Sequence, residues 1–306
     1  ALRLLRSGAE VLVTSRFPRD TARRYAQEND FELWCSRLHI FAVDLRQITR
    51  LESFVDYLYS HFSHIDILVN NAAQTVKRPP AYYAHLLPLE TAPVDNLPHK
   101  WLPLLSEYDL NKPSVMTQIP FLAETDEKSY FPHDKYDSYG QQIDNRPYNS
   151  WIMSLDEISV AEILEVHLVN AVAPGVLAGQ LKKLLQRSQH SDRFLVNVSA
   201  VEGQFTQFKR GIHPHTNMAK AALNMLTRSI AFDYAQSNIY VTSVDPGWVS
   251  DQVPRQDDES RNAAVEKITI DMVDATARIC DPIFTGIKDG DFLSGKMFKD
   301  YQEVEW

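Results

Sequence analysis

The sequence predicts an α/β protein built on a doubly wound parallel sheet that carries a long irregular insertion. Three observations carry that prediction. Short apolar runs of strand length alternate with longer runs of helical spacing, and such alternation gives a parallel sheet with right-handed crossovers and helices on both faces. Asp44, Asn70-Asn71, Ser199 and Pro246-Gly247 each stand at the end of a strand-like run, on the rim where open α/β sheets bind ligands. Residues 77–150 break the pattern, with ten of the sixteen prolines, seven of the thirteen tyrosines and a single glycine, Gly140.

Taken in order, residues 2–9 read as the last turns of an amphipathic helix ended by Gly8. A helix met halfway suggests a missing upstream strand-loop-helix unit of roughly 30 residues. Residues 10–14 form a short buried strand, 20–28 a polar helix and 38–44 a second strand. Leu51, Phe54, Val55, Leu58 and Phe62 recur at helical spacing. Residues 65–70 are a third strand. Prolines at the density found in the insertion forbid long helices and central strands. Its tyrosines, with Trp101 and Trp151, give it too much apolar surface for a disordered linker, so an ordered cap packed on a single domain is expected. A helix then runs from residue 155 towards Leu184, followed by a strand at 194–198 and a helix at 218–234. A strand at 239–244, a helix at about 263–280 and a last edge strand at 296–298 complete the series.

Composition narrows the function classes. The formal net charge of −9 argues against binding a nucleic-acid backbone, which favours a basic face. No stretch reads as the roughly 20 apolar residues of a membrane span, and no leader is expected. Cys35 and Cys280 are far apart and outside any metal-ligand spacing, so they read as free thiols of a cytoplasmic protein, and no metal site is expected.

The order of motifs resembles the short-chain dehydrogenase/reductase family over nearly the whole chain outside the insertion. The motifs are Val43-Asp44-Leu45, Asn70-Asn71-Ala72-Ala73, Asn170-Ala171-Val172-Ala173-Pro174, Val198-Ser199-Ala200, Lys220 early in a helix, and Pro246-Gly247-Trp248-Val249. The resemblance implies a Rossmann-type sheet of order 3-2-1-4-5-6-7, lacking its first strand here. The second and fourth strands of that order would then carry open edges. It implies cofactor contacts at Asp44, Leu45, Asn71, Ala72, Pro246, Gly247 and Lys220. A catalytic relay through Asn170, Ser199 and Lys220, a small-molecule substrate and pairing of copies through the helices of Asn170 and Lys220 also follow from it.

Two departures stand beside these matches. The family's TGxxxGxG loop, whose backbone N–H groups hold a pyrophosphate, is absent from the sequence. The tyrosine of its YxxxK motif is replaced by Thr216, four residues before Lys220 and on the same helix face. A phenol with a pKa of about 10 can be tuned towards neutrality by a nearby ammonium; a threonine hydroxyl cannot. The proton donor would then be His215, a tyrosine of the insertion such as Tyr136 or Tyr139, or water. At the end of the first strand, Ser15-Arg16, with Arg19 nearby, favours NADP(H) over NAD(H), because arginine there accommodates a 2′-phosphate. Two functions stay open: an NADP(H)-dependent oxidoreductase acting on a carbonyl or alcohol, and a non-catalytic dinucleotide-binding or scaffold protein.

Overall fold

Seven strands form in the computed structural model, which describes residues 1–106, 128–137, 140–249, 252–254 and 270–306. They fall into two sheets, of two and five strands. The chain divides into one unit of Ala1–Leu51 with Arg78–Asn145, and another of Glu52–Lys77 with Arg146–Trp306.

In the first unit, α1 (Leu2–Arg6) leads to β1 (Val11–Ser15), α2 (Pro18–Tyr25) and β2 (Leu38–Ala42). β1 and β2 pair in parallel, Val13 opposite Ile40. α3 (Ile48–His61) leaves the unit, burying Leu51, Phe54, Val55 and Leu58 as their spacing predicts. The insertion forms the short helices α4 (Pro80–Tyr83) and α5 (Leu87–Thr91) and several single turns, in keeping with its prolines. It is a structural layer of this unit. Leu97, Trp101 and Leu104 share a buried cluster with Leu5, Trp34 and Ile40. Leu105 bridges Ile40 in parallel, closed by a 3.0 Å bond from Ser106 N–H to the Ile40 carbonyl.

The second unit holds β3 (Ile67–Asn70), β4 (Arg193–Val198), β5 (Ile239–Asp245), β6 (Lys296–Lys299) and β7 (Gln302–Val304), hydrogen-bonded in that order. β3 to β6 are parallel; β7 is antiparallel and forms the edge that the sequence reading gave to residues 296–298. Its long helices are α6 (Val160–His167), α7 (Ala173–Gln186), α8 (Pro214–Ala235) and α9 (Met272–Asp289). Alternation along the strands fills two cores. Leu195, Ile239 and Val241 pack with Ala178, Leu185, Ala231 and Tyr234 of α7 and α8. Phe194, Val196, Val244 and Phe298 pack with Ile283 of α9. Each such fully buried side chain contributes roughly 1.5–3 kcal/mol.

Among the described residues, β1 has β2 as its one strand partner and β3 has β4. Two helix boundaries move. α8 starts at Pro214, before residue 218, because proline suits the first helical position. α9 runs to Asp289 and carries Pro282 inside it, while residues 263–269 lie outside the described residues. One expectation is corrected: the helical run Val160–Gln186 is long and apolar enough to cross a membrane by length and composition. Within it Val166, Leu177, Leu181, Leu184 and Leu185 are buried.

Candidate active site

In the second unit, polar side chains gather where β4 and β5 end and α8 begins. Ser199 follows β4; its N–H donates to the Val244 carbonyl at 2.7 Å. Its hydroxyl is buried and has no hydrogen-bond partner among the described residues. Lys220, 2% exposed, donates from Nζ to the Val198 carbonyl at 2.8 Å. Burial pushes this ammonium down to about 8, against the opposing charges of Glu202 and Asp245. Gly203 brings the intervening loop against α8. A Cβ at Gly203 would lie 2.8 Å from the Lys220 carbonyl, too close for any side chain.

Asn170 lies in a π-helical turn, Leu168–Val172, that joins α6 to α7. Its amide donates to the carbonyls of Val166 (2.8 Å) and Gln74 (2.6 Å) and accepts from Gln74 N–H. It thereby ties the segment after β3 to the helix. Thr216 Oγ1 donates to the Thr75 carbonyl at 3.2 Å. His215 Nε2 contacts that same carbonyl at 3.1 Å, and because a carbonyl only accepts, Nε2 carries the proton. Nδ1 is buried without a partner. Burial, with His213 and His167 nearby, holds His215 down to about 4, so it is neutral at pH 7 and its one proton is committed. Glu162, which burial pushes up, lies 3.9 Å from His215 Nε2 and accepts from Lys77 N–H and the Ser150 hydroxyl. His213, in the left-handed region at φ 41°, stacks on Trp151 at 4.2 Å and donates its N–H to the Met153 carbonyl, anchoring the start of α8.

Asn71 and Ala72 are exposed after β3. Their neighbour Asn70 instead starts a buried chain across the sheet: Asn70 to Asn197, Asn197 to Thr227 and Thr227 to Ser243, each at 2.8 Å. The signal for this chain was Asn197 inside an otherwise apolar strand. Pro246 and Gly247 follow β5. Gly247 has φ 92°, and its N–H donates to Asp245, which also holds Lys299 Nζ at 3.0 Å.

The first unit holds the remaining predicted residues. Ser15 Oγ accepts from Phe17 N–H and from the Thr21 hydroxyl. Asp44, 1% exposed, accepts the Arg46 N–H and both Arg46 Nε and Nη2. Its carboxylate is therefore taken up within its own turn, and Leu45 lies in that turn, half-buried. Arg19 donates to the carbonyls of Leu89 and Ala92, anchoring the insertion instead of assisting Arg16. Arg16 donates to Tyr83 OH at 3.0 Å. Tyr136 is exposed beside His85; Tyr139 lies outside the described residues. Neither Arg46 nor Tyr83 was singled out from sequence, although Arg46 stands only two residues from Asp44.

A helix-flanked parallel sheet with polar groups at its carboxyl rim defines a Rossmann-type α/β protein. The chain belongs to the short-chain dehydrogenase family: residues 1–85 match the family model described as short chain dehydrogenase. Residues 148–277 match the model described as enoyl-(acyl carrier protein) reductase. Among solved structures, 4-hydroxyisoleucine dehydrogenase complexed with NADH superposes with a TM-score of 0.58 at 15% identity, over 97% of this chain and 88% of that one. A short-chain dehydrogenase/reductase of Burkholderia multivorans with bound NADP gives 0.56 at 16%, over 100% and 92%. The carbonyl reductase Sniffer of D. melanogaster gives 0.56 at 17%, over 96% and 87%. At these identities the likeness shows the fold. An uncharacterized protein of Acanthamoeba polyphaga mimivirus is 29% identical over 297 residues, 93% of this chain and 59% of that one. Protein FixR of Bradyrhizobium diazoefficiens is 34% identical over 105 residues, 33% and 34% of the two chains. The chain thus spans 59% and 34% of the lengths of these two relatives.

Proposed function

We propose that the chain is an oxidoreductase that interconverts a carbonyl and an alcohol with a nicotinamide dinucleotide, NADP(H) in preference to NAD(H). The observation that carries the reading is the Ser199 hydroxyl, buried and unpartnered at the carboxyl end of β4. A buried hydroxyl without a partner costs free energy, and a substrate oxygen would relieve that cost. NADP and NADH bound to relatives of the same fold support the cofactor class.

The residues of the second unit fit the nicotinamide end of such a cofactor. Lys220 keeps two N–H donors beyond the one on Val198, and the Pro246-Gly247 turn opens beside Asp245. The glycine-rich loop is not in the sequence, so the residues present supply no pyrophosphate cradle of that kind. The cofactor, when bound, supplies or accepts the hydride. Ser199 orients the substrate oxygen. Asn170 fixes the segment after β3. Thr216 keeps its proton on Thr75, and His215 is neutral. The Lys220 ammonium is therefore the strongest acid of the three, and we assign it the proton that reaches the substrate oxygen. Carbonyl reduction should then fall as the pH rises through about 8.

A second reading, non-catalytic dinucleotide binding, is favoured by Thr216, whose hydroxyl is bound to Thr75 and is far too weak an acid to replace a phenol. Titration with NADPH and NADH, followed by absorbance loss at the nicotinamide band with a panel of ketones and aldehydes, separates the two. Binding with turnover supports the first reading; binding without turnover supports the second. We further propose self-association through α6, α7 and α8. The first two leave Val160, Leu164 and, in the turn between them, Val172 exposed, and α8 leaves Met218, Met225 and Phe232 exposed seven residues apart. Sedimentation of the wild type against Met225→Glu tests it: a dimer that becomes monomeric supports the proposal, and a monomeric wild type ends it. Neither a nucleic acid nor a membrane is proposed as a partner, and two free thiols suit a cytoplasmic protein.

A further inference from the structure

Arg16 follows β1 and differs in its partner from five other arginines of its unit. Arg6, Arg23, Arg24, Arg46 and Arg78 each hold a carboxylate. Arg16 holds a phenol and no carboxylate among the described residues. One of its five N–H donors goes to Tyr83 OH at 3.0 Å. Its guanidinium lies over the Tyr83 ring at 4.7 Å. That ring is itself fixed, stacked on Phe17 at 5.3 Å and met edge-on by Tyr82 at 5.0 Å. The acidic group that could compete, Asp44, is bound to Arg46. The result is a guanidinium with four spare donors whose side-chain freedom is already lost, and a planar fork held this way recognises phosphate oxygens.

We infer that Tyr83, a residue of the insertion, is the positioning residue that fixes Arg16 as the receptor for the ribose 2′-phosphate of the dinucleotide. The insertion would thereby set the preference for NADP(H). This rests on the dinucleotide-binding reading above and needs no turnover. An unstacked arginine would have to lose rotamer freedom on binding, whereas Arg16 has lost it in advance.

The test is calorimetric titration of the full chain with 2′,5′-ADP and with ADP. The wild type should bind 2′,5′-ADP at least about tenfold more tightly, the size of one good charge-assisted contact. Arg16→Ala should bring the two probes to parity. Tyr83→Ala should cut the preference about fivefold and leave ADP affinity unchanged, which a merely structural role would not do. Tyr83→Phe keeps the ring stacks, so it guards against loss of folding, and should cut the preference about twofold. Parity in the wild type, or no binding of either probe, overturns the inference. So does a preference that both Tyr83 variants leave intact. A chain that discriminates the probes but reduces no carbonyl removes the catalytic reading and leaves this one standing. A chain that turns over without discriminating does the reverse.

Discussion

The polar residues at the strand ends of the two units differ at one position. In the first unit they are satisfied by near neighbours: Asp44 by Arg46, and Ser15 by Phe17 and Thr21. In the second, Asn70 and Asp245 are likewise bound, while Ser199 Oγ is buried with no partner among the described residues. A satisfied buried group serves stability, and an orphaned one costs stability and awaits a ligand. The difference says that residue type at a strand end marks a position, while hydrogen-bond status marks its job.

The largest expected effect falls on Ser199. Ser199→Ala should lower carbonyl turnover by about 10²–10⁴-fold and leave the melting temperature unchanged or raised, because it removes a hydroxyl that bonds nothing. Loss of stability with activity retained would break the comparison. Asp44→Ala should do the converse. It removes a buried carboxylate from the half-buried Arg46 guanidinium and should cost about 3 kcal/mol in denaturant unfolding. A neutral result would mean that Asp44 is held for a ligand after all.

The two units should also answer acid in opposite senses. Glu90 of α5 is buried and accepts the Asp20 N–H at 2.9 Å, and burial pushes its carboxyl up to about 7. Its folded value is raised, so the stability it contributes is full below about 4.5 and is lost as the pH rises through 7. The folded value of His215 is depressed to about 4, so its contribution is present above about 6.5 and is lost as the pH falls through 4. Between pH 6.5 and 4.5, acidification should strengthen the first unit and weaken the second, each by about 2 kcal/mol. Hydrogen exchange resolved by peptide, with Glu90→Gln and His215→Gln as controls that flatten each slope, measures this. Parallel slopes in the two units would count against it. The smallest effect is at Gly203. Gly203→Ala should cost about 1–2 kcal/mol by pushing the loop off α8, and its turnover loss should exceed its stability loss if Lys220 is displaced.

Much of the fold was legible in the sequence because its signals are local. Apolar spacing gives α3 its buried face, and alternation along β4 sends Phe194 and Val196 to one core and Leu195 to the other. The insertion was legible as ordered but not as a layer on β2, since the bridge from Leu105 to Ile40 joins residues 65 apart. Of the site, Asn170, Ser199 and Lys220 were readable as residue types in sequence order. Their states were not. The committed proton of His215 depends on the Thr75 carbonyl, and the hold of Tyr83 on Arg16 spans 67 residues; no spacing rule reaches that far. Asp44 shows the opposite case: its partner Arg46 stands only two residues away, within reach of a local rule.

The five-residue π turn at Leu168–Val172 has a consequence for how this chain tolerates length changes. A wide turn is what remains when one residue is added to an α-helix. Deleting a single residue there should return the run to ordinary winding and leave Leu177, Leu181 and Leu184 on their present face, because the wide turn has already absorbed the extra residue. The bulge is thus slack in one continuous rod: shortening it would move the polar amide that meets Gln74 and spare the leucines buried on the second half.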